Sequence, residues 1–309
     1  MTRREVVIFC AVLVVLGAGW GITQPLTKIA VSTGYGHFGL VFWQLAIGAA
    51  LMAAICALRG ISLPFARRHL RLYLLLAMIG TILPNTASYQ AAVHVPSGIL
   101  SILLSMIPMF AFPIALALGL DRFSLRRLAG LLAGLCGVLL IVAPGVALPG
   151  DVAVFWVFVA LIAGAFYAVE GNVVAKWGTE GLNPIQVLYG ASLVGAVIMA
   201  PVAWVSGQWI DPRPPLDPQQ WALVGSSVAH VLVYAGYVWL VGRAGPVFAV
   251  QVSYFVTGFG ILWAKLILGE AYSPFVWAAL AMMFAGLYLV QPRPHATLAQ
   301  GRAIGDTAP

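Results

Sequence analysis

Glu170 is the only acid deep inside an apolar run, in AGAFYAVEGNVVA, and this placement is the first chemical signal in the chain. A carboxylate near mid-bilayer costs at least about 2.5–3.5 kcal/mol on insertion scales, so such a group faces water, a partner or a cavity. It can then carry a proton or bind a cationic group of a solute. The plainer alternative is a Glu near the end of its helix, paired with Lys176 or reaching headgroups. His230, in SSVAHVLVYAGY, also lies within a run and reads equally as a proton relay or a satisfied core residue. Around these two, Trp20, Gln24, Asn85, Tyr89, Asn172, Tyr234, Tyr237, Gln251 and Tyr254 supply rings and amides for a small amphipathic solute. Aromatics also anchor helices at membrane interfaces, so each alone is weak. Their recurrence in several separate runs makes the set a candidate cavity lining.

Other chemistries lack their residues. The five histidines show no HExxH or other ligand spacing, and Cys10, Cys56 and Cys136 are an odd set inside apolar runs. No Lys belongs to a Gly-rich GK[ST] motif, and no Ser-His-acid set stands out. No catalytic residue, cofactor or metal is therefore expected, and the chain is not expected to be an enzyme.

The elements that position these residues follow from composition. Of 309 residues 62% are apolar and 8% charged, too few charges to build a water-facing surface, so the solvent is lipid. Apolar runs fall at 6–30, 38–58, 72–92, 96–120, 128–147, 152–175, 184–206, 220–241, 246–268 and 274–290. Each is long enough, or nearly so, to cross a hydrocarbon core that takes about 20 helical residues. The first run is too long for a signal peptide and is expected to be retained. Pro25, Pro84, Pro108, Pro113 and Pro201 lie within or near runs and predict kinks. The glycine spacings at Gly17/Gly21 and Gly130/Gly134 predict close helix packing rather than dimerisation. Lys28 and Lys265, near run ends, are expected to snorkel. The polar tail 292–309 is expected to be disordered.

Charge sets the orientation. The net charge of +7 sits in short gaps between runs and forms no continuous patch, so nucleic acid is not an expected partner. With the N-terminus inside, the cytoplasmic loops and termini hold 13 of 16 basic residues, and the outer loops only Arg213. The expected location is a cytoplasmic (inner) membrane, multi-pass, with both termini cytoplasmic.

The halves also repeat. A shift of 147 aligns Gly17 with Gly164, Trp20 with Tyr167, and GAALMA from Gly48 with GAVIMA from Gly195. Shifts of 148 to 150 align Tyr89 with Tyr237, Pro96 with Pro246, and Gly119 with Gly269. Five spans per repeat is odd, so the second copy enters from the opposite side, an arrangement usual in secondary transporters. The expectation is an all-α integral membrane protein of ten transmembrane helices, two inverted five-helix repeats around a central cavity. The halves are 1–147 and 148–291.

The segments GAGWGITQPLTKIA, SYQAAVHVPSGILSILLSMIPMFAFPIALALGLDRFS and YVWLVGRAGPVFAVQVSYFVTGFGILWAKLILGEAYS resemble the ten-helix EamA-type members of the drug/metabolite transporter superfamily. The second repeat keeps the family's Gly-Glu ending at Gly269-Glu270, whereas the first has Gly119-Leu120-Asp121. The resemblance implies cytoplasmic termini and a cavity lined mainly by spans one, three, four, six, eight and nine. It further implies export or exchange of amino acids or other small metabolites. The expected partners are a small-molecule substrate and the lipid bilayer, with protons a candidate coupling ion. Oligomeric state is left open, a monomer being sufficient. The main alternative is a channel-like protein or non-transporting scaffold, and behind it an integral membrane enzyme.

Overall fold

The computed structural model describes residues 3–143 and 154–290. The tail 292–309 and the boundary between the halves at 147/148 lie outside the described residues. Eight helices are long and apolar enough to cross a bilayer: Val7–Ala30, His37–Leu58, Arg67–His94, Ser97–Ala117, Leu125–Val142, Val154–Trp177, Pro184–Val205 and Pro218–Ala244. Two apolar helices of 17 residues, Val252–Leu268 and Pro274–Val290, complete ten. They are called spans one to ten below. No strand occurs among the described residues. Lipid offers no hydrogen bonds to the backbone, so each span must satisfy its own, which a helix does. At about 1.5 Å per residue the 17-residue spans reach about 25 Å, and the short helix Pro246–Ala249 extends the ninth.

Local sequence sets where helices begin and bend. Asn183 and Asp217 open spans seven and eight with capping boxes to Gln186 and Gln220, each followed by a proline in the first turn. Three of the prolines expected to kink helices do so one turn upstream, because a proline has no N–H and its ring crowds the carbonyl four residues earlier. Span one is interrupted at Ile22 before Pro25, and span four at Ser105–Met106 before Pro108. Span three forms a π turn at Met78–Ile82 before Pro84. Pro113 and Pro201 are accommodated inside their helices.

The strongest helix packings all join one half to the other: five with ten, one with nine, two with seven, one with eight, three with six, four with six, three with seven, four with nine, and two with eight. Exchanging each span for its repeat mate turns this set into itself, since one–nine becomes six–four and one–eight becomes six–three. The two halves are interleaved about a pseudo-twofold axis, and each buries its apolar stripes against the other. The glycine spacings serve this packing. A Cβ at Gly21 would lie 2.8 Å from the Gly260 nitrogen, and one at Gly130 2.7 Å from the Gly286 oxygen. Only glycine permits these one–nine and five–ten crossings.

The ends of the spans assemble into two opposite faces. On one, Lys28 Nζ donates to the carbonyls of Ala92, Val93 and Val95 at 2.7, 3.1 and 3.2 Å, at the end of span three. This corrects the snorkelling expected of Lys28: its ammonium is held by carbonyls left unpaired where span three stops, and complements the negative end of that helix dipole. Lys265 is exposed. On the same face Glu270 accepts from the amides of Ser97 and Gly98, at 2.8 and 3.1 Å, and from the Ser97 and Tyr272 hydroxyls, at 3.0 and 2.6 Å. On the other face Lys176 Nζ donates to the Leu118 oxygen at 2.7 Å, and Asp121 pairs with Arg127.

Candidate functional site

The breaks in spans one, four and nine and the π turn in span three surround a cavity of about 560 Å³ between the two faces. Trp20 and Gln24 reach it from span one, Asn85 and Tyr89 from span three, and His230 and Tyr237 from span eight. These six expected residues are brought together on its wall. Two of the repeat-related pairs, Trp20 with Tyr167 and Tyr89 with Tyr237, meet in this one space. That follows from the symmetry, because equivalent positions in an inverted repeat are carried to the axis from opposite directions.

Two hydrogen-bonded clusters order the wall. In one, the Trp20 indole N–H donates to His230 Nδ1 at 3.3 Å, and the Trp20 ring lies 5.4 Å from that of Tyr237, centroid to centroid. In the other, the Tyr167 hydroxyl donates to Asn85 Oδ1 at 2.5 Å. Asn85 Nδ2 and the Tyr89 hydroxyl both donate to Gln44 Oε1 at 2.9 Å. This chain ties spans two, three and six together and holds its rings and amides in fixed positions.

The remaining expected residues lie elsewhere. Asn172 is buried and donates to the Ala168 and Ala111 oxygens at 2.8 and 3.2 Å, joining span six to span four. Tyr234 packs beside spans two and seven, in the cluster of Met52, Cys56, Ile185 and Val231. Gln251 is exposed at the break preceding span nine. Tyr254 packs its ring at a tilt against Phe284 of span ten, and its hydroxyl finds no partner among the described residues. Glu170 stands behind the wall rather than on it. Its carboxylate occupies the space a side chain at Gly80 would fill, and Gly80 of the π turn does line the cavity. Glu170 has no hydrogen bond or ion pair among the described residues, and so Lys176 is not its partner.

Residue-by-residue reading missed Gln44, Tyr167 and the hydroxyls that complete the lining, among them Thr27, Ser88, Ser192 and Ser226. Two of these carried a signal. Gln44 is a lone amide in an otherwise apolar stretch of span two, and Tyr167 is the repeat mate of Trp20. The hydroxyls carried none, because Ser and Thr are common in membrane helices, where they bond their own preceding turn, as Ser227 and Thr257 do here.

Comparison with known proteins agrees with this architecture. The EamA-like transporter family matches twice, over residues 7–143 and 154–291. The uncharacterized inner membrane transporter YedA of Escherichia coli K12 is 24% identical over 299 residues, covering 94% of this chain and 92% of that protein. Its counterpart in Escherichia coli O157:H7 matches at the same identity and coverage. A protein of known crystal structure superposes with a TM-score of 0.62 at 17% identity, covering 93% of this chain and 96% of the other, a likeness of fold alone. With two family repeats interleaved around a membrane-buried cavity, the chain belongs to the EamA-like transporter family and is a multi-pass membrane transporter.

Proposed function

We propose that the protein is a secondary transporter that exports or exchanges a small amphipathic metabolite by alternating access. It would lie in a cytoplasmic membrane with both termini and the Asp121 face inside. The observation that carries this reading is the cavity between the two interleaved halves. Rocking one half against the other exposes such a cavity to each face in turn, and the breaks in spans one, four and nine supply places to bend. The orientation rests on charge: Arg122, Arg126, Arg127, Lys176 and Arg243 gather toward the Asp121 face.

Glu170 is the coupling group in this reading, and it carries a proton. A carboxylate behind the wall, without a cation beside it, is better placed to exchange a proton with the cavity than to hold a substrate's ammonium. Counterflow in proteoliposomes is the test. Wild-type protein should show accelerated exchange of its solute, found by screening a metabolite panel, whereas a channel or scaffold shows none. Glu170→Gln keeps size but cannot titrate. It should flatten the pH dependence of net flux while exchange falls less. Equal loss of both would transfer Glu170 to substrate binding, and an unchanged pH profile would remove it from the mechanism.

A further inference from the structure

The cavity wall carries no Asp, Glu, Lys or Arg among the described residues. Its polar groups are hydroxyls, three amides and one imidazole, set among aromatic rings. The imidazole is also kept neutral by its neighbour. An indole N–H can only donate, so His230 Nδ1 accepts from Trp20, the ring proton resides on Nε2, and protonating Nδ1 would set two donors against each other. The helix breaks supply no substitute for a fixed charge. Ser105 and Met106 donate to the Ile102 and Leu103 oxygens at 3.0 Å. Ser253 and Tyr254 donate to Val250 and Gln251 at 3.2 and 3.1 Å. These four amides, at the breaks of spans four and nine, are used within their own turns rather than held open for a carboxylate.

A solute with a full charge would surrender its hydration on entering and find no charged group on the wall itself, the acid behind Gly80, Glu170, being given over to a proton in the reading above. From this we infer that the transported solute is uncharged, flat and rich in hydrogen-bonding groups, of the heteroaromatic amide or nucleobase class, rather than an organic ion or a zwitterionic amino acid. The clusters around Trp20 and Tyr167 offer rings for stacking and amides for the edge of such a solute. This inference rests on the transporter reading above and narrows its substrate.

The test compares molecules of nearly one shape and different charge. Nicotinamide, nicotinate and 1-methylnicotinamide are neutral, anionic and cationic, with phenylalanine as the zwitterion and uracil and adenine as further uncharged members. Each is offered in counterflow and in a binding assay on detergent-purified protein. At least one uncharged member should exchange, and every charged or zwitterionic member should be at least ten-fold poorer. In Gln24→Glu, an isosteric change that adds one negative charge to the wall, preference should shift at least ten-fold toward 1-methylnicotinamide, measured on the fraction that remains monodisperse. Exchange of nicotinate, 1-methylnicotinamide or phenylalanine as good as that of the uncharged set overturns the inference, and so does failure of every uncharged member. If another solute of the broad panel then exchanges, the transporter reading survives. If nothing exchanges, both fall.

Discussion

The turn after span nine and the turn after span four are repeat mates that have taken different jobs. Both leave the helix through a glycine with positive φ, 67° at Gly269 and 71° at Gly119, which caps the last carbonyls as only glycine does without strain. The residues that follow decide the rest. Glu270, directly after its glycine, reaches into the other half and accepts from the first amides of span four. Asp121 comes one residue later and on a shorter side chain. It stays in its own half, accepting from the Arg122 amide at 2.8 Å and pairing with Arg127. One face is therefore joined across the halves by a carboxylate in a helix N-terminus. The other is joined by cations on helix ends, Lys176 on Leu118 and Arg126 on the Tyr288 oxygen at 2.7 Å. An inverted repeat makes its two faces equivalent only until the sequence diverges, and here one inserted residue makes the Glu270 face the clamped one.

The sharpest way to break the comparison is to ask which face is which, because the outcome is all or none. A reporter active only in the cytoplasm should work when fused after Arg127 or Arg243 and fail after Asp151 or Asp217. Activity in the reverse pattern would place the clamped face inside and exchange the roles argued for the two turns.

Next in size is the clamp itself. Glu270→Ala leaves the Ser97 and Gly98 amides of a buried helix start without an acceptor, a loss of about 1–3 kcal/mol. Asp121→Ala removes a partly exposed ion pair, for which about 0–1 kcal/mol is usual. Thermal denaturation of the two variants in detergent should thus give a clearly larger drop for Glu270. Equal drops would mean that the two turns contribute alike and that the inserted residue is without consequence. Glu270→Ala should also shift the population toward opening of its face, read as faster labelling of a cysteine placed at Thr27.

Much of the fold is legible in the amino-acid sequence. Lipid demands whole helices, so apolar runs alone locate all ten spans. Proline locates the bends to within a turn, since its missing N–H acts at a fixed distance. The internal repeat indicates which rings meet: Trp20, Tyr89 and Tyr237 reach the cavity along with Tyr167. Rotation about each helix axis is not legible in the same way. Asn172, Tyr234, Gln251 and Tyr254 lie in or beside the right spans but are not among the cavity's lining residues, and in a lipid-soluble chain both the core and the lipid face are apolar. The periodicity that tells inside from outside in a soluble helix is therefore largely missing. The same blindness hides the roles of Glu270 and Lys28, whose partners lie 173 and 64 residues away and are backbone groups with no sequence signature.

The smallest expected effect concerns a second cross-half link on the Glu270 face, where the Tyr35 hydroxyl donates to the Asp217 carboxylate. That bond, helped by burial and the nearby charge, pushes the Tyr35 phenol from 10 up to about 12. A raised pKa in the folded protein means that the protonated form is the one folding favours. The contribution is therefore complete below pH 10, the unfolded value, and is lost as pH rises toward 12. Tyr35→Phe should accordingly lower the denaturation midpoint at about pH 8 by an amount corresponding to about 1 kcal/mol, and the gap between variant and wild type should close above about pH 10. A gap that persists unchanged at about pH 11 would mean that the proton shared with Asp217 is not its source, leaving Glu270 as the tie on that face. A gap at about pH 8 as large as that of Glu270→Ala would mean instead that the clamp is shared between the two sites. Asp121→Ala serves as the reference in both measurements, because the bond of Asp121 to Arg127 closes a loop within one half and gives no resistance to the halves parting.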